Sequence, residues 1–393
     1  MKFEMKTKAL RFLSDIQTGP FGSQLHKEDY VDDGTPIVTV EHLGNRVFTE
    51  QNLPRVSNED KQRLSKYILK EGDIVFSRVG SVDRCSFVDS QHTGWLFSGR
   101  CLRVRPFEEI SPLFLYYFFC LESTKKFIRN IAVGATMPSI NTKLMGEIEV
   151  SYPDKQVQEK IANLLGAIDD KIELNNAIND NLEQQAKALY KDWFLDFSPF
   201  SSDGTLPDGW RIGTVGDIIQ LHDSKRVPLS GTERSKMAKL YPYYGATSLM
   251  DYVDNYLFDG IYLLLGEDGT VVDNLGFPIL QYVYGRFWVN NHAHIITGKE
   301  GFSVEELYLF FGLTNIKSIV TGAVQQKVSQ QNLKKVPAII PSSTALSSFD
   351  ELIQPIFSQI RNLRDENARL TSLRDILLPK LMSGELDVSA VNL

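Results

Sequence analysis

A long amphipathic stretch in the middle of the sequence constrains the fold more than any other feature. Between residues 156 and 197, apolar side chains form two rows with a seven-residue spacing, namely Ile161, Ile168, Leu182 and Leu189, and Leu165, Ile172, Ala186 and Trp193. Such rows place an apolar stripe on a helix that packs along a partner helix. Pro153 precedes the stretch and Pro199 follows it, as expected at helix ends. At about 1.5 Å per residue the helix would be about 55–60 Å long, more than a single small domain needs.

A second copy of this stretch lies near the C-terminus, in residues 349–382. A shift of 192 residues lays Ile161, Leu165, Ile168 and Asn175 onto Ile353, Phe357, Ile360 and Asn367. The segments LYYFFCL (115–121) and LYLFFGL (307–313) are also 192 residues apart, and residues 134–153 align without gaps with 322–341 at a shift of 188. The chain is therefore predicted to be a tandem duplication.

The repeat predicts five segments in the 393 residues. We expect a first globular domain at 1–153, a first helix at 154–197, a second globular domain at 198–345, a second helix at 346–386 and a tail at 387–393. Each globular domain mixes short strands with one or two helices, among them an aromatic helix over 112–131 and another over 304–319. The predicted fold class is α+β, with two mixed α/β domains that each precede a long helix.

The amino-acid composition indicates the cellular compartment more clearly than the function. Three cysteines without metal-ligand spacing, no apolar run of membrane-spanning length and no apolar N-terminal core favour a soluble cytoplasmic protein. The net charge of −7 is unevenly spread: residues 1–150 sum to +1, 151–200 to −4, 201–345 to −2 and 346–393 to −2. The helical segments carry most of the excess, so nucleic-acid contacts by the globular domains would come from local patches.

Five segments in a fixed order carry a resemblance over essentially the whole chain. They are GPFGSQL (19–25), the 134–153 block that leads into a helix, LPDGW (206–210), YPYYGAT (241–247) and LRDILLPKLMSGEL (373–386). In this order they resemble the specificity (S) subunit of Type I restriction-modification systems. The resemblance implies two target-recognition domains, each reading half of a split double-stranded DNA target, and two long helices that pair as an antiparallel coiled coil.

The resemblance also implies partners and cofactors. The helices would dock two modification (methyltransferase) subunits, and restriction/translocase subunits would join in the full complex. S-adenosylmethionine, ATP and Mg²⁺ are expected on those partner subunits only, with no cofactor, metal or membrane contact of this chain's own. Two non-identical domains predict a bipartite, asymmetric target. Twofold proteins place their reading elements about 34–36 Å apart, which helices of this length can span. Asn175 and Asn367 are candidates for fixing the register of the helix pair, or they face solvent.

Candidate DNA-binding residues in the first domain are mainly basic and polar loop residues. They are Lys27 after the glycine-rich loop, Arg78, Ser81 and Arg84 after a predicted strand, Arg100, and Thr136, Asn141 and Lys143 before the first long helix. Arginine both reads guanine and anchors phosphate. The alternative is that Arg78 or Arg84 pairs with a local acid (Asp73, Asp83 or Asp89), and that Lys27 lies in an ordinary exposed turn.

The second domain offers a more mixed set. The candidates are Tyr244, Arg286, Asn290 and His292, with Gln325, Gln326 and Lys327 in the equivalent loop before the second long helix. Asparagine and glutamine suit adenine edges. The run VNNHAHII also alternates like a strand, so His292 and His294 could be core or surface residues instead. His-x-His alone is a weak metal signal, and the aromatic helices are expected to be core rather than base-stacking platforms.

Catalytic signatures are missing from the sequence. It contains no phosphate-binding GxxxxGK[ST] loop, no glycine-rich cofactor fingerprint, no HExxH and no Asp/Asn-Pro-Pro-aromatic tetrapeptide. We therefore expect a non-catalytic specificity subunit. Two alternatives stay open: a self-contained DNA methyltransferase or nuclease, and a two-headed scaffold without base specificity.

Overall fold

The computed structural model describes residues 4–20, 24–44, 46–322 and 325–388. Its contacts divide the chain into two compact units, Met1–Leu174 with Glu366–Leu393 (unit 1) and Asn175–Asp365 (unit 2). Both divisions fall inside long helices, so each unit consists of one globular domain and parts of two helices.

The described residues of unit 1 form three small sheets. Its strands pair in the orders β2-β9-β6-β7, β3-β5-β4-β8 and β1-β10. In chain order the elements are β1 (Lys6–Ala9), β2 (Ser14–Thr18), β3 (Tyr30–Val31), β4 (Thr35–Val38), β5 (Arg55–Val56), α1 (Asn58–Arg63), β6 (Ile74–Ser77), β7 (Cys85–Phe87), β8 (Leu96–Phe97), β9 (Cys101–Pro106), α2 (Pro112–Cys120), α3 (Glu122–Ile131), α4 (Thr142–Gly146), β10 (Glu149–Tyr152) and the first part of the 40-residue α5 (Lys155–Phe194).

Unit 2 repeats this plan with longer strands. One six-stranded sheet has the order β12-β17-β15-β16-β13-β14, and a separate ribbon pairs β11 with β18. The elements are β11 (Arg211–Thr214), α6 (Val215–Ile218), β12 (Ile219–Leu221), α7 (Gly231–Arg234), β13 (Tyr241–Tyr244), β14 (Leu249–Val253), β15 (Phe258–Gly266), β16 (Leu280–Val289), β17 (Ala293–Gly298), α8 (Val304–Gly312), α9 (Gln330–Leu333), β18 (Pro337–Ile340) and the first part of the 40-residue α10 (Ser343–Met382).

Local chemistry explains where several elements end. The predicted helix over 112–131 is two helices, because Leu121 adopts extended backbone angles (φ −58°, ψ 131°) between them. The predicted helix over 304–319 stops at Gly312. The helix α10 stops at Met382, just before Gly384, whose φ of 71° is typical of a glycine that terminates a helix.

The duplication is offset by one helical turn from the match made on the sequence. Helices α5 and α10 begin and end 188 residues apart, as do β10 and β18. At this shift Asn367 corresponds to Asn179, and Asn175 corresponds to Leu363, so the sequence match of Asn175 with Asn367 is wrong by four residues. A four-residue shift leaves the apolar stripe on nearly the same face, which is why the seven-residue pattern could not distinguish the two alignments.

The core of unit 1 includes both long helices. Ile161 and Leu165 of α5 and Leu378 and Leu381 of α10 belong to the same buried cluster as the aromatic residues of α2. The buried carboxylate of Asp169 on α5 accepts a hydrogen bond from the Tyr117 hydroxyl (2.7 Å) and from Arg374 Nη1 on α10 (2.8 Å). Thus one acid ties α2, α5 and α10 together within this unit.

The core of unit 2 is built in the same way. Tyr190 and Phe194 of α5 and Ile353 and Phe357 of α10 pack with the strands and α8 of the second domain. The Glu183 carboxylate on α5 accepts hydrogen bonds from the Tyr308 hydroxyl (3.0 Å) and Arg364 Nη2 on α10 (2.8 Å). The aromatic residues of α2 and α8 lie mostly in the cores, as expected. Across the described residues, no helix combines the length and apolarity required to cross a bilayer.

Candidate nucleic-acid interface

Backbone hydrogen bonds in unit 1 join three loop segments. The Arg78 amide, just after β6, donates to the Arg100 carbonyl (2.8 Å), and the Ile140 amide donates to the Arg78 carbonyl (3.0 Å). The Gly80 amide donates to the Pro138 carbonyl (2.8 Å). We call the assembly of residues 78–84, 100 and 133–141 junction 1. It unites most of the candidates that the sequence identified in the first domain.

Unit 2 repeats these three backbone hydrogen bonds. The Glu267 amide donates to the His292 carbonyl (2.8 Å), and the Val328 amide donates to the Glu267 carbonyl (2.8 Å). The Gly269 amide donates to the Gln326 carbonyl (3.0 Å). We call residues 267–270, 292 and the described part of 321–328 junction 2. Arg78 therefore corresponds to Glu267, and Arg100 to His292.

Glycine is required at the matching turns. Val133 and Ser139 exchange two backbone hydrogen bonds in junction 1, as Thr321 and Lys327 do in junction 2. The next residues, Gly134 and Gly322, have φ of 112° and 88°, a region that side chains disfavour. A Cβ at Gly134 would lie 2.6 Å from the Met137 carbonyl oxygen, and one at Gly322 would meet the Gln325 carbonyl more closely still.

Cationic and polar side chains in and next to junction 1 are accompanied by the exposed apolar residues Val133 and Met137. Ser81, Arg84, Arg100, Thr136, Asn141 and Lys143 are exposed, and Arg78 is half-buried with Nη1 donating to the Gly99 carbonyl (3.1 Å). Arg84 donates to the Leu43 carbonyl. Asn141 accepts a hydrogen bond from the Leu144 amide (2.9 Å) and so caps α4.

The three acids considered as partners of Arg78 and Arg84 contact other residues. Asp73 pairs with Arg105 (2.7 Å), Asp83 with Arg129 (2.5 Å) and Asp89 with His92 (2.6 Å). None of these three pairings involves Arg78 or Arg84.

Junction 2 mixes both signs of charge. His292 is exposed, and its Nδ1 lies 2.5 Å from the Asp268 carboxylate. Lys327 Nζ lies 3.5 Å from Oε1 of Glu267, and Gln325 and Gln326 are exposed beside it. The two junctions thus present different chemistry on the same backbone.

Three further candidates of the second domain lie outside the junction proper. Asn290 is buried: its Oδ1 accepts from the His292 amide (2.8 Å) and its Nδ2 approaches Met250 Sδ (3.4 Å), which argues against a base contact in this arrangement. Tyr244 packs its ring on Phe287, and burial raises the pKa of its hydroxyl.

Arg286 is exposed but distant from the junction. It pairs with Asp259 (3.1 Å) near the start of β15, whereas junction 2 follows the end of that strand, about 20 Å further along. Lys27 begins a short 3₁₀ helix (Lys27–Asp29). Its side chain, like residues 21–23 of the GPFGSQL segment, is outside the part of the chain that the structure describes.

A buried charged cluster beneath junction 2 was missed by the sequence reasoning. Asp223, Glu267 and His294 bring possible ligand atoms within 4.8 Å of one another, and Arg226 lies among them, with Nη1 2.6 Å from Glu267. Asp223 and Arg226 were not candidates because neither stands near His294 in sequence. The Arg226 guanidinium supplies one positive charge against the two carboxylates of the cluster.

Two mixed α/β domains that each lead into a 40-residue helix, with one loop junction repeated in both, define a tandem two-headed protein. A profile of the Type I restriction modification DNA specificity domain matches residues 4–184 and 207–372. The chain belongs to this family and contains two copies of its domain, so the resemblance found in the sequence is confirmed.

Relatives and a solved structure agree with this assignment. The chain is 24% identical to the Type I restriction enzyme MjaIX specificity subunit of Methanocaldococcus jannaschii, over 97% of this chain and 93% of the relative. It is also 24% identical to the HindI specificity subunit of Haemophilus influenzae, over 84% of this chain and 90% of the relative. The S subunit from M. genitalium has a similar fold, with a TM-score of 0.58 at 16% identity, covering 97% of this chain and 96% of that one. The protein is thus a non-catalytic specificity component of a restriction-modification system.

Proposed function

We propose that the chain reads a bipartite, asymmetric double-stranded DNA target, with junction 1 at one half-site and junction 2 at the other. The observation that carries this proposal is the repeat of these backbone hydrogen bonds in one loop framework with different side chains. A shared framework presents side chains to DNA in the same geometry, while different side chains select different bases.

The chemistry of the junctions suggests which contacts each would make. Arg78, Arg100 and Lys143 offer donors for guanine acceptors and phosphates. Gln325, Gln326 and Lys327 combine amides that suit adenine with a cation that suits phosphate. Neither domain has a large positive charge, so affinity would come from these local patches and from partner subunits.

The long helices would pair as an antiparallel coiled coil whose length sets the gap between the half-sites. Contacts inside each unit support this pairing: Asp169–Arg374 and Lys171–Glu366 (3.6 Å) in unit 1, and Glu183–Arg364 in unit 2. The residue numbers on α5 rise while those on α10 fall. For a role in register, Asn175 is buried and Asn367 Nδ2 donates to the Ile172 carbonyl (3.4 Å).

The proposed partners are two modification subunits, joined by restriction/translocase subunits in the full complex. Apolar side chains on the long helices are exposed, including Leu174, Leu373 and Ile376, and they suit a protein partner. S-adenosylmethionine, ATP and Mg²⁺ would be bound by those partners. Because the target is the host's DNA, we place the complex in the cytoplasm.

Single-molecule methylation sequencing of host DNA, with and without the gene, tests the proposal. Deletion is expected to abolish methylation at one split, asymmetric motif, and complementation with the intact gene should restore it. Replacing residues 1–150 by the first domain of a relative should then change only one half of the motif.

Two results would favour the alternatives. Stoichiometric S-adenosylmethionine binding by the purified chain alone would favour a self-contained methyltransferase. Equal affinity of the assembled complex for cognate and scrambled DNA would favour the scaffold.

A further inference from the structure

At one equivalent position the two junctions carry side chains with opposite hydrogen-bonding roles. Arg78 in junction 1 can only donate hydrogen bonds, whereas Glu267, its counterpart in junction 2, carries an acceptor. The surrounding backbone bonds are the same, so the change lies in the side chain.

The Glu267 carboxylate is held from below by a buried arginine. Arg226 Nη1 donates to Oε2 of Glu267 (2.6 Å) and to the carbonyls of Ala293 (2.8 Å) and Asn291 (3.2 Å). Its Nε donates to the Asp223 carbonyl (3.0 Å). One guanidinium therefore binds the segment after β15 and the turn before β17 together.

His294 and Asp223 extend this support to the third segment of the junction. His294 Nδ1 lies 2.6 Å from Asp223, and Nε2 lies 2.8 Å from the Val328 carbonyl. Asp223 also accepts from the Ile295 amide (2.9 Å) and from Gln330 Nε2 (2.5 Å). The His294 side chain is fully buried, and only 4% of Asp223, 13% of Arg226 and 15% of Glu267 is exposed.

Unit 1 shows that the junction backbone does not require this cluster. His294 pairs with Leu265, one residue before β15 ends, and the matching residue of unit 1 is Leu102, which pairs with Phe76 one residue before β6 ends. Leu102 is fully buried and apolar, yet junction 1 makes the same backbone bonds. Burying charged groups carries a desolvation cost even when they are paired, so the cluster in unit 2 serves something other than the turn.

We propose that Glu267 is a specificity-determining residue whose carboxylate accepts a hydrogen bond from an amino group on a base edge, cytosine N4 or adenine N6. Arg226 is the positioning residue that aims it. Oε2 is held by Arg226, while Oε1 faces the exposed Lys327, which can exchange this contact for a phosphate. A carboxylate repels phosphate, so its place on a DNA-reading surface is explained by acceptance from a base amino group. This inference rests on the function proposed above.

The test measures base preference position by position, with the chain assembled with its modification subunits. Glu267→Gln keeps the shape but adds a donor, and should lower discrimination by about tenfold at one base pair of the half-site read by unit 2. Arg226→Met should lower discrimination at that same base pair, and Arg226→Lys should restore part of it. Glu300→Gln, at an exposed position after β17, is the matched control. Thermal unfolding of each variant identifies a loss that is due to folding.

The outcomes separate this inference from the proposal beneath it. An unchanged preference in Glu267→Gln, or an equal loss at every position, would overturn the inference while leaving the specific wild-type complex intact. A wild-type complex without half-site preference would refute the proposed function and the inference with it. Titration with Mn²⁺ or Zn²⁺ offers a further check: one-to-one binding that is lost in His294→Leu would overturn the role of Arg226 and assign the cluster to a metal.

Discussion

The two junctions share a backbone and differ in what lies on it and beneath it. Both are closed by the same hydrogen bonds and both turn at a positive-φ glycine. Arg78 of junction 1 is equivalent to Glu267 of junction 2. Below them, the buried Leu102 of unit 1 is equivalent to His294, which belongs to the charged cluster of unit 2. A duplicated framework can thus keep the positions that we propose to read DNA fixed through backbone bonds and glycines, while the neighbouring side chains diverge.

The largest effect is expected when both units lose their parts of α10. Ending the chain before Phe349 removes Leu378 and Leu381 from the core of unit 1 and Phe357 from that of unit 2. The shortened chain is expected to fail to assemble with the modification subunits. Alternatively, it dimerises through α5 and recognises a palindromic DNA target. Methylation sequencing and light scattering distinguish these results. A chain that ends at residue 388 is the control. Methylation of the normal asymmetric motif in the presence of the short chain would contradict the proposal that both units and both long helices are needed to recognise the target.

The next largest difference between the units is expected in how their stability depends on pH. Burial raises the pKa of the Glu306 carboxyl in α8 to about 8, whereas the matching residue of α2 is the buried Phe114. Between about pH 4.5 and 8 the folded state holds a proton that the unfolded state has released. The stability of unit 2 should therefore fall as the pH rises through this window, by on the order of a few kcal/mol.

Substituting Glu306 by glutamine removes this dependence. The gap in melting temperature between Glu306→Gln and wild type should widen from pH 5 to pH 8, because the amide has no proton to lose and can still accept from the Ser303 amide, as Oε2 does at 2.7 Å. Glu351→Gln, on the exposed surface of α10, is the control. Parallel pH curves for wild type and Glu306→Gln would show that the carboxyl is not buried as described.

The acid–arginine pair that links α5 to α10 should also differ in strength between the two units. Arg374→Met leaves Asp169, whose side chain is only 6% exposed, without its cation, and should cost about 3 kcal/mol of unfolding free energy. Arg364→Met leaves the more exposed Glu183, and should cost about 1 kcal/mol or less. Denaturant melts measure both. Combining Arg374→Met with Asp169→Leu should recover part of the loss, and equal costs at the two sites would remove the contrast.

Effects that are confined to one half-site should come from the turn glycines. Gly134→Ala and Gly322→Ala each force a Cβ into a positive-φ turn against a carbonyl oxygen, at about 1–2 kcal/mol. Each should weaken binding to one half-site and spare the other, as measured with oligonucleotides mismatched in either half. Gly231→Ala, at the open start of α7, is the control. A loss shared by both half-sites would mean that the turns do not act separately.

Periodicity and internal repetition predicted the architecture because they depend on local pattern. The seven-residue rows anticipated the long helices, and the gapless match of 134–153 with 322–341 anticipated the paired loops of the junctions. What the rows could not determine was register: a four-residue offset keeps the same helical face, and so Asn175 was matched with Asn367 one turn away.

The cluster under junction 2 could not be predicted because strand pairing assembles it. Asp223, Glu267 and His294 are separated by 71 residues from first to last, and they meet only through the register of β12, β17 and β15. Asn290 shows the converse, since a polar residue beside a predicted interface turned inward to cap the following turn. Side chains of this kind are decided by tertiary neighbours, which a single sequence does not display.

The acid–arginine pairs that link α5 to α10 have a consequence for which helices can pair. In both units the acid lies on α5 and the arginine on α10, as Asp169–Arg374 and Glu183–Arg364, and the opposite pair Lys171–Glu366 is exposed and weak. If α5 met a second α5, the places of Arg374 and Arg364 would be taken by Ala186 and Asn176. The acid–arginine polarity therefore favours pairing of α5 with an α10 helix over pairing of α5 with a second α5.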